Sequence, residues 1–460
     1  MTPIRNLPTA TLLCLALGSG LALAQTGAAP SASAPPPKPT AVLIENVSVF
    51  DGKSERLSAP SNVLVVGNKI QSMSAAPISP PADATLTRIN GAGRTLMPGL
   101  IDNHVHIVMT ASTMAQMSDP NAKFEVIEAR GAEEARQTLL RGFTTVRDLG
   151  GPVFGIKKAI DTGKAEGPRI YPSGAMVSQT SGHGDSRLPH ERSRRFFGKP
   201  SLGEEMGFSF IADGRDEVLA ATRENLRYGA TQIKVHAGGG AATAYDPLDV
   251  TQYTLDELKA AVEAAEDWNT YVTVHAYNAR SVRRSVEAGV KVIEHGQLLD
   301  EATVKLLGDK GIFLSLQALD PAPPWAPANI REKKDEVIRG TDNAFRWAKQ
   351  HKVKLLWGTD FLFNPEQNKN QNKDILKLKQ WFTPAEVLKL LTFDNAQVFQ
   401  LSGPRNPYPG KLGVVEPGAY ADLLLVDGDP LANLDLVADP TKNFVLIMKD
   451  GRIHKNLLRP

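Results

Sequence analysis

Apolar and polar positions follow two different patterns along the chain. Both ends carry short, largely apolar stretches bounded by turn residues such as Gly67-Asn68, which is typical of hairpin strands. These stretches are residues 41–44, 47–50, 62–66, 421–427 and 444–448. The pattern predicts one small β-sandwich-like domain assembled from both ends, residues 40–95 and 402–460.

The middle of the chain alternates apolar stretches with amphipathic ones. The apolar stretches predict strands at residues 96–107, 144–148, 169–176, 232–236, 271–276, 292–295, 312–316 and 354–360. Amphipathic stretches at 255–268 and 279–288 predict helices, the first starting with a capping box of Thr254 and Glu257. Eight strands with intervening helices favour an α/β fold, a (β/α)8 TIM-type barrel over residues 96–401. A doubly wound open sheet has similar strand numbers and stays an alternative.

The first 24 residues have the features of a secretory signal peptide. Arg5 precedes an apolar stretch, and small residues at the end of the segment form a cleavage site before Gln25. A membrane anchor is the alternative, but residues 18–20 interrupt a stretch that is already shorter than the roughly 20 residues of a membrane span. We therefore expect an exported protein, periplasmic or secreted, without membrane attachment after cleavage. Residues 25–39, rich in Ala, Ser and Pro, predict a flexible linker.

Composition narrows the chemistry of the exported chain. The 460 residues are 42% hydrophobic and 22% charged, which is enough to bury a sizeable core. A formal net charge of +2 gives no reason to expect a nucleic-acid partner. The only cysteine, Cys14, lies within the predicted signal segment, so the exported chain would contain no thiolate that could bind a metal. A metal would have to be held by nitrogen and oxygen donors.

Candidate metal ligands recur where the predicted strands end, which is where barrel enzymes place their active sites. They are His104, His106, Lys234, His275, His295 and Asp360. The i, i+2 spacing of His104 and His106 points both imidazoles to one face of a strand. An isolated pair of this kind could be two hydrogen-bonded polar residues, but here further histidines and an aspartate recur at equivalent positions. Imidazole and carboxylate together suit zinc and similar divalent ions.

Lys234 lies in the fourth predicted strand, where divalent metal would repel an ammonium group. Burial favours the neutral amine, which can react with carbon dioxide to form an anionic carbamate able to bridge two metals. The alternative is a barrel lysine paired with a carboxylate. His236 shares the strand face of Lys234 and could approach metals or substrate, or be a hydrogen-bonded core histidine.

In this combination the motifs resemble the amidohydrolase superfamily, in its two-metal form with a carboxylated lysine. The matching segments are residues 98–106, 233–235, 274–276, 293–296, 358–360, 395–396 and 413–427. Within the superfamily the chain is most similar to the dipeptidase and carboxypeptidase-like branch, which includes prolidase-like and ochratoxin-hydrolysing enzymes. Residues 181–185 add to this likeness, whereas the branch often has an apolar residue where this chain has His236.

The resemblance implies two divalent ions, expected to be Zn²⁺, and a carbamate on Lys234 that bridges them. It implies a metal-bridging hydroxide as nucleophile and Asp360 as the group that carries its proton to the leaving amine. The implied ligands are His104, His106 and Asp360 for one ion, and His275 and His295 for the other.

Substrate contacts come from loops, which vary within a fold. Tyr277 is a candidate to donate to a substrate carbonyl or carboxylate, or else a packing residue at the barrel mouth. His183 is a candidate to stabilise the oxyanion, with a structural loop role as the alternative. Arg187 and His190 could bind an anionic end of the substrate, or be solvated surface groups, and His236 is a further substrate candidate.

The leading functional hypothesis is metal-dependent hydrolysis of the amide bond in dipeptides or N-acyl amino acids, extending to ochratoxin-like aromatic amides. The partner is then a small-molecule amide. A cyclic-amide or imidazolone-type hydrolase with one metal is the alternative in the same fold, and a non-catalytic periplasmic metal or ligand binder is the alternative in another class. The resemblance also implies a homo-oligomer, with an octamer as one form.

Overall fold

Two kinds of β-sheet make up the scaffold of this protein. The computed structural model describes residues 39–458 except 120, 189 and 244; the predicted signal segment, and the predicted linker before Pro39, lie outside these residues. The strands are β1 (Thr40–Val49), β2 (Ser61–Val66), β3 (Lys69–Ser74), β4 (Thr85–Asn90), β5 (Thr95–Pro98), β6 (Leu100–Val105), β7 (Phe143–Asp148), β8 (Arg169–Pro172), β9 (Met176–Ser178), β10 (Ser209–Ile211), β11 (Ile233–His236), β12 (Val272–Asn278), β13 (Val292–Leu298), β14 (Phe313–Leu316), β15 (Lys354–Trp357), β16 (Leu423–Val426), β17 (Phe444–Lys449) and β18 (Arg452–Asn456).

Helices alternate with these strands through the middle of the chain. The α-helices are α1 (Ile107–Thr110), α2 (Met114–Met117), α3 (Phe124–Leu140), α4 (Phe154–Asp161), α5 (Arg194–Phe197), α6 (Leu202–Glu205), α7 (Arg215–Tyr228), α8 (Leu255–Asp267), α9 (Ala279–Ala288), α10 (Glu301–Lys310), α11 (Ala328–Gln350), α12 (Pro365–Asn368), α13 (Gln371–Asp374), α14 (Pro384–Lys389), α15 (Asn395–Gln397) and α16 (Pro440–Asn443). Three 3₁₀ segments are Ile375–Gln380, Val398–Arg405 and Leu434–Ala438, and Leu390–Asp394 is a π-helix. Among the described helices, none combines the length and apolar character that crossing a membrane requires.

The first sheet joins strands from both ends of the described chain, in the order β18-β17-β16-β5-β1-β2-β3 with β4 beside β1. Strand β1 is continuous where the sequence pattern predicts two strands. A bulge between Ile44 and Val47 bends it, so that its first half pairs with β2 and β4 and its second half with β5. Val63, Leu96 and Leu425, far apart in sequence, share one apolar core beneath this sheet. The predicted division of the chain into domains stays a prediction.

The remaining strands form two parallel sheets, β10-β9-β11-β12-β13-β14-β15 and β6-β7-β8. The predicted strand 169–176 is divided into β8 and β9, because Gly174 between them takes φ +75°, outside the β region. Strand β8 pairs with β7, and β9 pairs with β10 and β11. At the edges formed by β15 and β6, the Asp360 N–H donates to the His104 carbonyl over 2.7 Å. Because the parallel strands form two separate sheets, the described residues do not show one continuous, closed barrel.

The predicted strand 96–107 is also two strands, β5 and β6, which belong to different sheets. Gly99 separates them, and its N–H donates to the Asp422 carbonyl over 2.9 Å. A Cβ at this position would lie 2.1 Å from the Thr144 hydroxyl, so only glycine fits. Helices α8 and α9 lie where the amphipathic stretches predict them, and the capping box of Thr254 and Glu257 is confirmed.

Candidate metal centre and active site

The candidate ligands meet where the parallel strands end. His104 and Lys234 lie in β6 and β11, His275 and His295 lie in β12 and β13, and Asp360 follows β15. The histidines and the lysine are buried, whereas 17% of the Asp360 side chain is exposed. His295 and Asp360 adopt left-handed φ values of 77° and 52°, which non-glycine residues rarely take. Such backbone strain is found preferentially at functional sites.

The Asp360 carboxylate lies at the centre of the cluster. Its Oδ1 is 3.2 Å from His104 Nε2 and 3.3 Å from His106 Nε2, and its Oδ2 is 3.8 Å from His295 Nε2. Lys234 Nζ lies 3.3 Å from the same His104 nitrogen. Ligand atoms of His104, His295 and Asp360 are all within 4.8 Å of one another, so these residues can hold one metal ion.

His275 joins the group through its contact with His295. Its ring centroid lies 4.4 Å from that of His295. Its Nε2 is 3.0 Å from the Gly239 carbonyl oxygen, which leaves Nδ1 as the ring nitrogen available to a metal. The structure therefore brings all of the candidate metal ligands into one cluster.

In three of the histidines, the ring nitrogen that faces away from Asp360 lies close to an oxygen atom. His104 Nδ1 is 3.0 Å from a carboxylate oxygen of Glu294, His106 Nδ1 is 3.2 Å from the Gly150 carbonyl, and His295 Nδ1 is 2.8 Å from the Gln317 amide oxygen. An acceptor at Nδ1 keeps the proton there and leaves Nε2 free to bind a metal, as in known metal sites. Imidazole nitrogens aimed at a carboxylate, without sulfur, are a donor set that fits a divalent ion.

Burial sets the charge of these groups. It lowers the pKa of His104 to about 4 and that of His295 to about 3, so both rings are neutral at neutral pH. Burial also lowers the pKa of Lys234 to about 8, against the opposing effect of Glu294 and Asp360. For Asp360, burial alone would raise the pKa, but the surrounding histidines lower it and keep the carboxylate ionised.

Glu294 is a functional candidate that sequence reasoning missed. One carboxylate oxygen contacts His104, and the other accepts hydrogen bonds from Arg147 over 2.7 Å and from Thr273 over 2.5 Å. Burial alone would raise the Glu294 pKa, but Arg147 and His104 hold it well below its usual range. Strict strand alternation would send Glu294 and His295 to opposite faces. The left-handed backbone of His295 interrupts that alternation, so periodicity gave no signal for Glu294.

Two of the substrate candidates lie against the histidine cluster. The His183 ring stacks on His275 with centroids 4.0 Å apart, and its Nδ1 is 2.8 Å from an oxygen of Asp246. Tyr277 stacks on His295 at 4.9 Å, and burial raises the pKa of its hydroxyl, so the phenol keeps its proton.

The other three substrate candidates differ in placement. His236 is buried, with its ring centroid 5.0 Å from that of His183, and its Nδ1 has no hydrogen-bond partner among the described residues. Arg187 instead pairs with Asp185 through two hydrogen bonds of 2.6 and 2.5 Å. His190 is exposed, and the described part of the chain shows no contact between it and the cluster. The structure therefore does not bring Arg187 or His190 to the metal ligands.

Parallel strands that carry histidines and a carboxylate at their ends define the type of site found in metal-binding hydrolases. Comparison with known proteins agrees with this assignment. The Amidohydrolase family matches residues 95–455. Ochratoxinase from Aspergillus niger is 31% identical over 379 residues, covering 78% of this chain and 75% of its own. The chain belongs to the amidohydrolase family and is a hydrolase that acts on carbon–nitrogen bonds.

Solved structures show the same relationship. A crystal structure of an amidohydrolase is 34% identical with a TM-score of 0.80, covering 91% of this chain and 100% of its own. A prolidase complexed with N-methylphosphonate-L-proline is 32% identical with a TM-score of 0.81 and the same coverage. A Xaa-Pro dipeptidase with bound methionine is 27% identical with a TM-score of 0.77, covering 91% of this chain and 100% of its own. The α/β fold is therefore that of amidohydrolases.

Proposed function

We propose that this protein hydrolyses the amide bond of dipeptides or N-acyl amino acids, including ochratoxin-like aromatic amides. The observation that carries the proposal is the convergence of three histidine Nε2 atoms on the Asp360 carboxylate, beside a buried lysine. The relatives named above include an ochratoxinase and a prolidase, which supports amides whose hydrolysis releases a free amino acid.

Two zinc ions and a carbamate on Lys234 form part of this proposal. When bound, such ions acidify water and polarise a carbonyl group. Among the described residues, no carboxylate oxygen lies within 4.0 Å of Lys234 Nζ, which argues against the alternative of an ion-paired lysine. Burial lowers the Lys234 pKa to about 8, and the larger neutral fraction of the amine supports carbamate formation. His104, His106 and Asp360 would hold one ion, and His275 and His295 the other.

The chain's own residues have distinct parts in the reaction. Asp360 is ionised and partly exposed, so it can accept a proton from water and return it to the leaving amine. The protonated Tyr277 hydroxyl can donate to the substrate carbonyl or carboxylate. The stacked ring of His183 borders the same cluster, where it can orient the substrate amide.

Three broader proposals accompany this function. The two parallel sheets are proposed to be arcs of one (β/α)8 barrel, since β8 and β9 share one stretch of chain and Asp360 N–H reaches His104. Export to the periplasm or outside the cell, and assembly into a homo-oligomer, remain proposals from the sequence.

The test is a substrate panel with zinc-loaded protein and mass detection of released amino acids. The panel contains Xaa-Pro and other dipeptides, N-acyl amino acids and ochratoxin-like amides. We expect turnover by the wild type, and a roughly 10²–10⁴-fold lower kcat for Asp360→Asn, because the proton carrier is lost. Asp309→Asn, at an exposed carboxylate in α10, is the control with unchanged kcat. No release by fully metal-loaded wild type, or wild-type kcat for Asp360→Asn, would show that the proposal is wrong.

A cyclic-amide hydrolase with one metal is the second candidate. It is favoured by the compactness of the His104, His295 and Asp360 group, which suffices for a single ion. Metal analysis and native mass spectrometry at neutral pH, which keeps a carbamate in place, distinguish the two candidates. Two zinc ions per chain and one added carbon dioxide on Lys234 support amide hydrolysis, whereas one ion and an unmodified lysine support the second candidate.

A further inference from the structure

The loop between β11 and α8 comprises residues 237–254, of which all but residue 244 are described, and it borders the metal centre at His275. The Gly239 carbonyl contacts His275 Nε2 at 3.0 Å. At Gly240 a Cβ would lie 1.9 Å from the His183 ring, so any larger residue would displace the imidazole. The loop is therefore shaped around His183, and His183 comes from a different part of the chain, after β9.

Asp246 of this loop fixes the orientation of the His183 ring. The Asp246 side chain is buried, and one of its oxygens lies 2.8 Å from His183 Nδ1 while the other accepts from the Thr243 hydroxyl. Burial alone would raise the Asp246 pKa, but His183, Thr243 and Lys333 hold it below its usual value, so the carboxylate stays charged. The ring lies nearly parallel to His275, with 12° between the planes. Its Nε2 has no hydrogen-bond partner among the described residues.

Lys333 from α11 fixes the loop itself. Its ammonium group donates to the backbone carbonyls of Gly240 over 2.6 Å and of Asp246 over 3.0 Å, and also to that of Thr243. Three donors thus meet three carbonyls of one loop, which matches the donor capacity of a lysine. One turn further along α11, the buried Val337 packs in the same apolar cluster as Ala241 of this loop.

We propose that Asp246 and Lys333 are positioning residues for the reaction. Lys333 holds the loop, the loop carboxylate of Asp246 holds His183 Nδ1, and the ring then presents Nε2 to the substrate amide. This inference rests on the proposed function and extends it by assigning parts to two residues outside the metal ligands. A hydrogen-bonding group held in advance of substrate binding lowers the cost of organising the transition state.

The test compares Asp246→Asn and Lys333→Met with two matched controls. Asp249→Asn removes an exposed carboxylate of the same loop, and Arg339→Met removes an exposed cation of the same helix. We expect both test variants to lower kcat by roughly 10-fold to 100-fold, less than the loss of a direct oxyanion donor, with KM changed far less. Zinc content and the unfolding midpoint are expected to stay near wild type, as for the controls. Lys333→Arg is expected to recover most of the activity, because a guanidinium keeps donors for the loop.

A double-mutant cycle separates positioning of His183 from a general effect on the loop. If Asp246 acts through His183, Asp246→Asn adds little to the loss already caused by His183→Ala. The inference is overturned if the fold-losses in kcat of the two single variants multiply in the double variant. It is also overturned if Asp246→Asn and Lys333→Met both keep the wild-type kcat. Inactivity of the wild type on the whole substrate panel would instead contradict the proposed function. If Asp246→Asn does not fold, the comparison of Lys333→Met with Lys333→Arg decides the question, since equal kcat for the two overturns the inference.

Discussion

His104 contacts several other residues of the site through both of its ring nitrogens. Its Nε2 lies near both Asp360 and Lys234, and its Nδ1 contacts Glu294, whose other oxygen is held by Arg147. The fully buried Arg147 also donates to the Asn103 carbonyl over 2.8 Å, so the guanidinium is attached to β6 next to His104. This chain of contacts fixes the plane of the imidazole before any metal binds.

We predict that Glu294→Gln weakens metal binding. The amide keeps the shape of the carboxylate but removes the charge that holds the His104 proton on Nδ1, and such changes typically cost about 10-fold to 100-fold in metal affinity. Competition with a chelator measures the zinc affinity directly. Glu287→Gln, an exposed glutamate in α9, is the control. Equal affinities for the two variants would show that Glu294 does not orient the ligand.

Helix α8 begins immediately after the loop that borders the metal centre. Its first turn is held by a capping box, in which Thr254 accepts from the Glu257 N–H and the Glu257 carboxylate accepts from the Thr254 N–H over 2.8 Å. The other oxygen of Glu257 accepts from the Gly214 N–H over 2.7 Å, just before α7. One short motif therefore fixes the start of α8 and ties it to the neighbouring helix.

We predict that Thr254→Ala lowers the free energy of unfolding by about 1 kcal/mol, because a helix N–H loses its acceptor. Urea unfolding measures the change. Thr441→Ala, at an exposed threonine, is expected to change stability by less than about half of that. Substrate turnover at 25 °C should be unchanged, since the cap touches no ligand. A stability loss no larger than that of Thr441→Ala would contradict the prediction.

Arg169 joins the parallel sheets to the sheet built from both chain ends. It lies in β8, is buried, and contacts Asp422 at 3.1 Å and Asp450 at 2.6 Å. Its guanidinium also lies 4.0 Å from the centre of the Tyr420 ring. A cation held by two carboxylates and an aromatic ring therefore links the parallel sheets to the sheet built from both chain ends.

We predict that Arg169→Met lowers the free energy of unfolding by about 3–5 kcal/mol, because the buried Asp422 loses its partner. The exposed Arg452→Met is the control. Adding Asp422→Leu to Arg169→Met should restore part of the loss, since no buried charge is then left unpaired. Urea unfolding of the three variants measures these changes. The prediction is wrong if Arg169→Met costs no more than Arg452→Met.

The sequence by itself determined the types of donor in this protein and the family to which it belongs. Histidines and an aspartate at the ends of apolar stretches are local patterns, because strand alternation and short spacing do not depend on distant residues. The same holds for the start of α8, whose cap is complete within four residues. Amidohydrolase membership followed from these motifs in combination.

Only the tertiary structure decided how the donors are oriented. The partners of His104, His183 and Arg169 are Glu294, Asp246 and Asp422, which lie far away along the chain. No periodicity connects such positions, because folding brings them together through the packing of whole strands and helices. Left-handed or glycine backbone at single residues, as at His295 and Gly174, also ends the alternation from which side-chain direction is inferred.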